Sequence, residues 1–336
     1  MAAMSDQLRP LTDVLAEAER RLERGVPATA GVTAVGFEPL DTCLGGGLRA
    51  GELSLLGGPH GSGKTTMALQ MLRNVVADGG VGLYFSFEHD ATTVLERFIG
   101  IESGAHDGAA GITVGQVREV LANSDHQKGD LAHRLGALPD GDEAIRAVSA
   151  YAPRLFIHRS SGGATDLHAI RAVIAEVQAQ VGTPDLVVVD YLQKVVAVSP
   201  SASEADKITS VAEGLKDLAL DLELPVLAVV VADKEGITSG RRLRMHHLRG
   251  AAALAYEADV VLLLNDKHDV VARHHLVFDV GNAELFRNAV VLTIEKNRAG
   301  RDRIDLEFHK RFELGRFETV GQPVAEQLVD ERAFVE

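Results

Sequence analysis

Residues 57–66 read Gly-Gly-Pro-His-Gly-Ser-Gly-Lys-Thr-Thr, a run whose residue types and spacing can bind a chain of phosphates. Within Gly58, Pro59, His60, Gly61, Ser62, Gly63, Lys64, Thr65 and Thr66, the residues Gly58, Gly63, Lys64 and Thr65 fill every fixed position of G-x-x-x-x-G-K-[ST]. Glycines let the backbone fold around an anion with its N–H groups pointing inward. A helix that starts there adds the positive end of its dipole. Lys64 would reach the β- and γ-phosphates, and the Thr65 hydroxyl would bind Mg²⁺. The flanks fit: Glu52–Leu56 reads as a short apolar strand, and Met67–Val76 has helical spacing. The alternative is a glycine-rich turn that matches by chance.

Binding is not hydrolysis, which needs metal support, a base for water and compensation of charge at the transferred phosphoryl. Three segments can supply these. In Gly82–Asp90 an apolar strand ends in Glu88, and a carboxylate at a strand's carboxyl end faces the ligand crevice of a parallel sheet. Glu88 is the candidate general base, the alternative being a solvated acid. In Asp185–Gln193 three valines lead to Asp190, the Walker B pattern for holding Mg²⁺. The alternative is a buried strand that ends in an acid. In Val291–Gly300, Lys296 and Arg298 leave an apolar strand on alternate residues and so share a face. Two adjacent cations repel unless they meet an anion, such as a γ-phosphate in a neighbouring subunit. The alternative is a basic turn in water.

These residues need a scaffold, and the chain alternates strands and helices in the manner of a mainly parallel α/β sheet flanked by helices. Short apolar runs at 52–57, 82–87, 154–158, 185–190, 225–231 and 258–264 predict strands covered on both faces. Helices are expected near 65–77, 91–99, 166–181 and 206–222. Antiparallel strands are expected toward the C-terminus at 274–280, 289–295 and 303–309. The Gly-, Ala-, Asp- and His-rich stretch 101–150, with its polar turn Asp125–Gly129, reads as a partly helical surface insertion. Residues 11–24 form an amphipathic helix with Leu11, Val14, Leu15, Ala18 and Leu22 on one face, followed by a linker to about residue 33. That stripe either packs on its own domain or docks on a neighbouring subunit. The expected organisation is a linker helix and linker over 1–33, an ATPase domain over 34–320 and a tail over 321–336.

Composition sets outer bounds. The 336 residues are 46% hydrophobic and 24% charged, an ordinary globular balance. No apolar run is long enough to span a bilayer. The first thirty residues carry Asp6, Glu17, Glu19 and Glu23 and do not read as a signal peptide. Cys43 is the single cysteine, which excludes an intrachain disulfide and a cysteine-rich metal site, and a cytoplasmic location is expected. The formal net charge of −14 argues against a nonspecific nucleic-acid coat but permits local basic loops in a channel.

Together the motifs resemble the RecA-like P-loop ATPase domain of the DnaB replicative-helicase family, from the first helix to about residue 315. The resemblance is carried by Leu11–Arg20, Gly36–Glu52, Val189–Gln193 with its Asp-Tyr-Leu-Gln, and Glu295–Gly300. It implies that residues 11–24 dock on an adjacent subunit of a homo-oligomer, with a hexamer expected. It also implies that Lys64, Thr65, Glu88, Asp190, Lys296 and Arg298 take the phosphate, metal, base and trans-acting positions, with ATP and Mg²⁺ as cofactors. Leu44–Leu48 and Asp233–Gly236 resemble the RadA and KaiC relatives.

Departures from that pattern matter as much. The resemblance starts at the linker helix, so the family's N-terminal helicase domain is expected to be missing. Val231 stands where the family has a polar γ-phosphate sensor, and Val195–Glu204 lacks the usual arginines. Ser239–Arg249 is basic, and Arg241, Arg242 and Arg244 are candidates for phosphates of single-stranded DNA, the alternative being a solvated loop. The adjacent pairs His246-His247 and His274-His275 would face opposite sides of a strand and not chelate a metal together. The expected function is an ATP-driven helicase or translocase core acting on single-stranded DNA. A nucleotide-gated module without unwinding activity and a recombination or repair ATPase are the alternatives.

Overall fold

The computed structural model describes residues 10–25, 31–105, 110–122, 130–197, 203–233, 236, 241–277 and 280–331. The chain opens with α1 (Leu11–Glu23), then the antiparallel pair β1 (Val32–Thr33) and β2 (Leu48–Arg49), with α2 (Glu38–Cys43) between them. β3 (Leu53–Gly58) leads into α3 (Lys64–Ala77), and β4 (Gly82–Ser86) leads into α4 (Ala91–Ser103). Three helices follow: α5 (Val114–Ala122), α6 (Leu131–Leu135) and α7 (Gly141–Tyr151). Alternation resumes with β5 (Leu155–Arg159), α8 (Leu167–Val181), β6 (Leu186–Asp190), α9 (Glu204–Leu222), β7 (Val226–Val231), α10 (Ala251–Glu257) and β8 (Val260–Asp266). Short helices α11 (Lys267–Val270), α12 (His274–Val277) and α13 (Val280–Arg287) precede β9 (Ala289–Asn297) and β10 (Ile304–Arg311). β11 (Arg316–Phe317) and β12 (Gln322–Pro323) complete the set.

One ten-stranded sheet runs in the order β11-β10-β9-β8-β3-β7-β6-β4-β5, with β12 also on β10. The six strands from β8 to β5 are parallel, and β9, β10 and β11 join antiparallel. The strand period of two divides the core cleanly. Leu56, Tyr84, Val188 and Leu227 face the side covered by α3, α4 and α7. Leu55, Phe85, Val189 and Ala228 face the side covered by α8, α9 and α10. Such two-sided burial explains why these strands read as unbroken apolar runs rather than alternating ones. Among the described residues, no helix is long and apolar enough to cross a membrane.

Several expectations are corrected. Residues 274–277 are helical, not extended. β8 bonds directly to its antiparallel neighbour β9, so the connection between them has no seat in the sheet and folds at its end. The pair His274-His275 lies in that helix and His246-His247 in a 3₁₀ turn, and in each pair the ring centroids are 4.0 Å apart instead of straddling a strand. The described part of the stretch 101–150 is partly helical as expected, but it packs into the core as well as on the surface. Val117, Leu135, Ala144 and Val148 are buried in the core beside α3 and α4. Its small-residue composition hid an apolar face spaced at helical intervals. The described part of 321–336 is docked too: Val329 N–H donates to the Val270 carbonyl and Ala272 N–H to the Gln327 carbonyl.

For α1 the choice between its own domain and another surface is resolved in part. No residue of the helix is buried, and Leu11 is 81% and Leu22 62% exposed. Nothing among the described residues of this chain covers its apolar stripe.

Candidate nucleotide site

β3 ends at Gly58, and the next residues form the turn that starts α3 at Lys64. Two glycines are needed for steric reasons. A Cβ on Gly58 would lie 2.4 Å from Ser62 Oγ. Gly63 has φ +92°, and a Cβ there would lie 2.6 Å from the rings of both Phe312 and Phe317. The loop thus stays a backbone cradle at the N-terminus of a fourteen-residue helix. Ser62 Oγ closes the turn by donating to the Pro59 carbonyl at 3.0 Å. Lys64 Nζ donates to the carbonyls of Gly58 (2.9 Å) and Pro59 (2.8 Å), so the ammonium is held over the loop. Burial pushes its pKa down, and the charges of Asp190 and Glu88 oppose that shift.

Asp190 ends β6 beside β4, paired with Ser86, and is almost fully buried. Its Oδ2 accepts a hydrogen bond from Thr65 Oγ1 at 2.7 Å and another from Tyr84 Oη at 2.8 Å. Burial raises its pKa, while the bonds from Thr65 and Tyr84 act the other way. Glu88 is exposed just past the end of β4. The turn that carries it is tied at both ends: Ser86 Oγ donates to the His89 carbonyl at 2.7 Å, and Asp90 caps α4 by accepting from Thr93 N–H. A cavity of about 390 Å³ joins these groups. His60, Lys64, Thr65, Glu88, Asp190 and Val231 all line it. Residues that sequence reasoning missed line it as well: His89, Arg97 and Phe312. His89 is pushed toward its neutral form by burial first and then by Arg97.

The residues present fit a Mg²⁺-nucleotide. The cradle has no room for side chains at Gly58 or Gly63, and the Thr65 hydroxyl beside the Asp190 carboxylate is a hard-oxygen pair suited to Mg²⁺.

Lys296 and Arg298 are not brought to this cavity. Lys296 Nζ donates to the carbonyls of Ala255 and Ala258 at 2.6 Å each, at the C-terminal end of α10. Arg298 pairs with Asp259 at 3.2 Å and donates to the Tyr256 carbonyl. The anion that quiets the two cations is therefore a helix terminus with one carboxylate. Arg298 N–H bonds the Asp259 carbonyl, and Asp259 N–H bonds the Leu53 carbonyl, which places Arg298 level with the start of β3. The phosphate loop leaves the other end of that strand, about 16 Å away at strand rise.

The three arginines of the basic segment also lie outside the cavity, and Arg242 is corrected from a DNA contact to a structural residue. Its side chain is 5% exposed, pairs with Asp305 and donates to Thr293 Oγ1 at 3.0 Å. Arg244 pairs with Glu295 (3.2 Å) and Asp330 (2.6 Å), and Arg241 lies 3.6 Å from Glu331. Spacing alone did not reveal these acids because they come from β9, β10 and the chain's last described residues. Arg242→Ala should cost about 2–3 kcal/mol in urea unfolding, since it leaves the half-buried Asp305 carboxylate with the Thr293 hydroxyl but without its cation. A change below about 0.5 kcal/mol would return this arginine to the surface class.

A strand, a glycine cradle with its lysine and a carboxylate two strands away define a P-loop nucleoside triphosphatase on a RecA-like sheet. Residues 31–319 match the DnaB-like helicase C terminal domain, and the chain belongs to that family. It is 27% identical over 233 residues to the replicative DNA helicase DnaB of Treponema pallidum (strain Nichols), covering 69% of this chain and 47% of that protein. It is 32% identical over 172 residues to the protein RecA of Salinispora tropica, covering 48% of this chain and 46% of that one. The chain thus spans about half the length of the curated relatives it matches. Two solved structures share the fold. A solved ATPase domain has TM-score 0.71 at 19% identity, with 92% of this chain and 98% of that one covered. A DnaB-like replicative helicase, described with its interactions with primase, has TM-score 0.67 at 19% identity, with 92% and 67% covered.

Proposed function

We propose that this chain is the motor core of a homo-oligomeric helicase or translocase that splits ATP at seams between its copies and moves single-stranded DNA. The observation that carries this reading is the placement of two half-sites at opposite ends of one sheet. Lys64, Thr65, Glu88 and Asp190 gather at the carboxyl end of β3, while Lys296 and Arg298 sit level with its start. Neither half is complete alone, and a second copy set end to side completes both. The bare stripe of α1 supplies a contact for such a copy, and a hexamer in the cytoplasm is the assembly this reading favours.

Within the site each residue has a stated task. Lys64 exchanges the Gly58 and Pro59 carbonyls for phosphate oxygens. Thr65 keeps donating its hydroxyl hydrogen to Asp190 Oδ2 and would offer the oxygen's lone pair to Mg²⁺. Mg²⁺ bound there would neutralise phosphate charge. Glu88, exposed on its tied turn, orients water and accepts its proton. Lys296 and Arg298 of a neighbouring copy meet the charge that develops on the γ-phosphoryl.

One observation favours a second reading, a nucleotide-gated module that does not unwind DNA. Val231 lines the cavity with a side chain that cannot report on a phosphate, and the arginines 241, 242 and 244 are engaged by acids of the same chain. Similarity to RecA keeps a recombination or repair role as a third. ATP turnover measured with and without a DNA oligonucleotide separates the first two, because strong stimulation belongs to a motor and none to a gate. Strand-displacement and branch-migration assays separate the third.

The role of α1 has its own test. Leu15→Asp with Leu22→Asp should shift the mass measured with an ATP analogue from oligomer to protomer. An unchanged mass would remove α1 from the interface.

A further inference from the structure

We propose that Tyr84 is a positioning residue that locks the metal-facing carboxylate of Asp190 through its phenol, an inference that rests on reading the cavity as a Mg²⁺-nucleotide site. Tyr84 sits in the interior of β4 with no exposed surface, on the face packed against α3. Its neighbours on that face include Leu56, Met67 and Val188, an environment that suits an aliphatic or phenyl side chain. A hydroxyl buried there without a partner would cost about 1–3 kcal/mol. The phenol has one: Tyr84 Oη donates to Asp190 Oδ2 at 2.8 Å.

The geometry of that bond gives it a function. A carboxylate held by one donor can still turn about its own bond. Here two donors from separate elements, Thr65 at the start of α3 and Tyr84 in β4, converge on the same oxygen. Both bonds fall on Oδ2, so Oδ1 would be the oxygen free to hold a water of a bound metal. The two donors differ in duty. Thr65 must also offer its oxygen to the metal, whereas Tyr84 is buried in the core and reaches the site only through Asp190. Partners that orient a metal-binding group commonly affect metal affinity by about 10–100-fold.

The test is equilibrium binding of a fluorescent ADP analogue to the full chain, titrated with free Mg²⁺ and repeated in EDTA. Tyr84→Phe keeps the ring and should raise the half-saturating Mg²⁺ about tenfold. Affinity in EDTA should stay at the wild-type value, which a merely structural lesion would not spare. Tyr84→Ile removes ring and hydroxyl together and should show the same Mg²⁺ shift, so either variant that folds decides the matter. A Mg²⁺ requirement within about twofold of wild type, or an equal loss of affinity in EDTA, overturns the role of Tyr84 and leaves the nucleotide site standing. A wild-type protein whose nucleotide binding ignores Mg²⁺ overturns the metal reading itself, and the inference with it.

Discussion

A Lys64→Ala protein is expected to lose about 10²–10³-fold in ATP turnover, the usual scale for one preorganised charge or donor aimed at a transition state. Its stability should hold or rise slightly. The reason lies in what the ammonium does without phosphate. It is buried enough to depress its pKa, and its bonds are to two carbonyls of its own loop. Alanine removes a desolvated charge and leaves no carboxylate stranded, since Asp190 keeps Thr65 and Tyr84. The mutant therefore separates catalysis from folding. Steady-state phosphate release and a thermal melt are the two measurements. Normal turnover would falsify the site assignment. Lost turnover with a large drop in melting temperature would instead make Lys64 a structural residue.

What could be read in advance follows the range of each interaction. The phosphate loop is local, its parts within ten residues, so spacing alone showed it. Asp190 and Glu88 were legible because an acid at the end of an apolar run in a parallel sheet has one place to go. The parallel strands were legible within about two residues for the same reason, since two-sided burial keeps polar residues in them few and mostly at their ends. Tyr84 was not, because a tyrosine in an apolar strand looks like core until the strand order puts β4 beside β6. Arg97 and Phe312 reach the cavity from α4 and from the turn after β10, and no local pattern connects them to it. The arginine segment misled for a related reason. Charge clusters read as surface, and the acids that pair with Arg242 and Arg244 lie roughly fifty to ninety residues downstream. The described part of 101–150 hid its buried face in small residues, and 274–277 became helical because β8 pairs directly with β9.

Arg298→Ala should lower ATP turnover by about 10³-fold or more while nucleotide binding and fold persist, the scale of an arginine finger acting across an interface. The fold should survive because Asp259 does not depend on this arginine. Its Oδ2 accepts from Lys216 Nζ at 2.7 Å and from Leu53 N–H at 2.9 Å, both deeper than Arg298, whose side chain is 49% exposed. The more telling experiment mixes two inactive proteins. A Lys64→Ala copy has an intact arginine but a dead loop, and an Arg298→Ala copy has the reverse. In a closed ring of random order, about a quarter of the seams join a good loop to a good arginine, and turnover should recover toward that fraction of wild type. No recovery is possible if each arginine serves its own chain. The strand geometry already opposes that case, because the start and the end of β3 are about 16 Å apart and no side chain spans the gap while staying bonded to α10. A mixture that stays dead while both proteins co-assemble would mean that Lys296 and Arg298 only fasten β9 to the end of α10. Recovery would tie the chemistry at one copy's Lys64 to the posture of the next copy's β9, and nucleotide state would then be felt around the whole assembly.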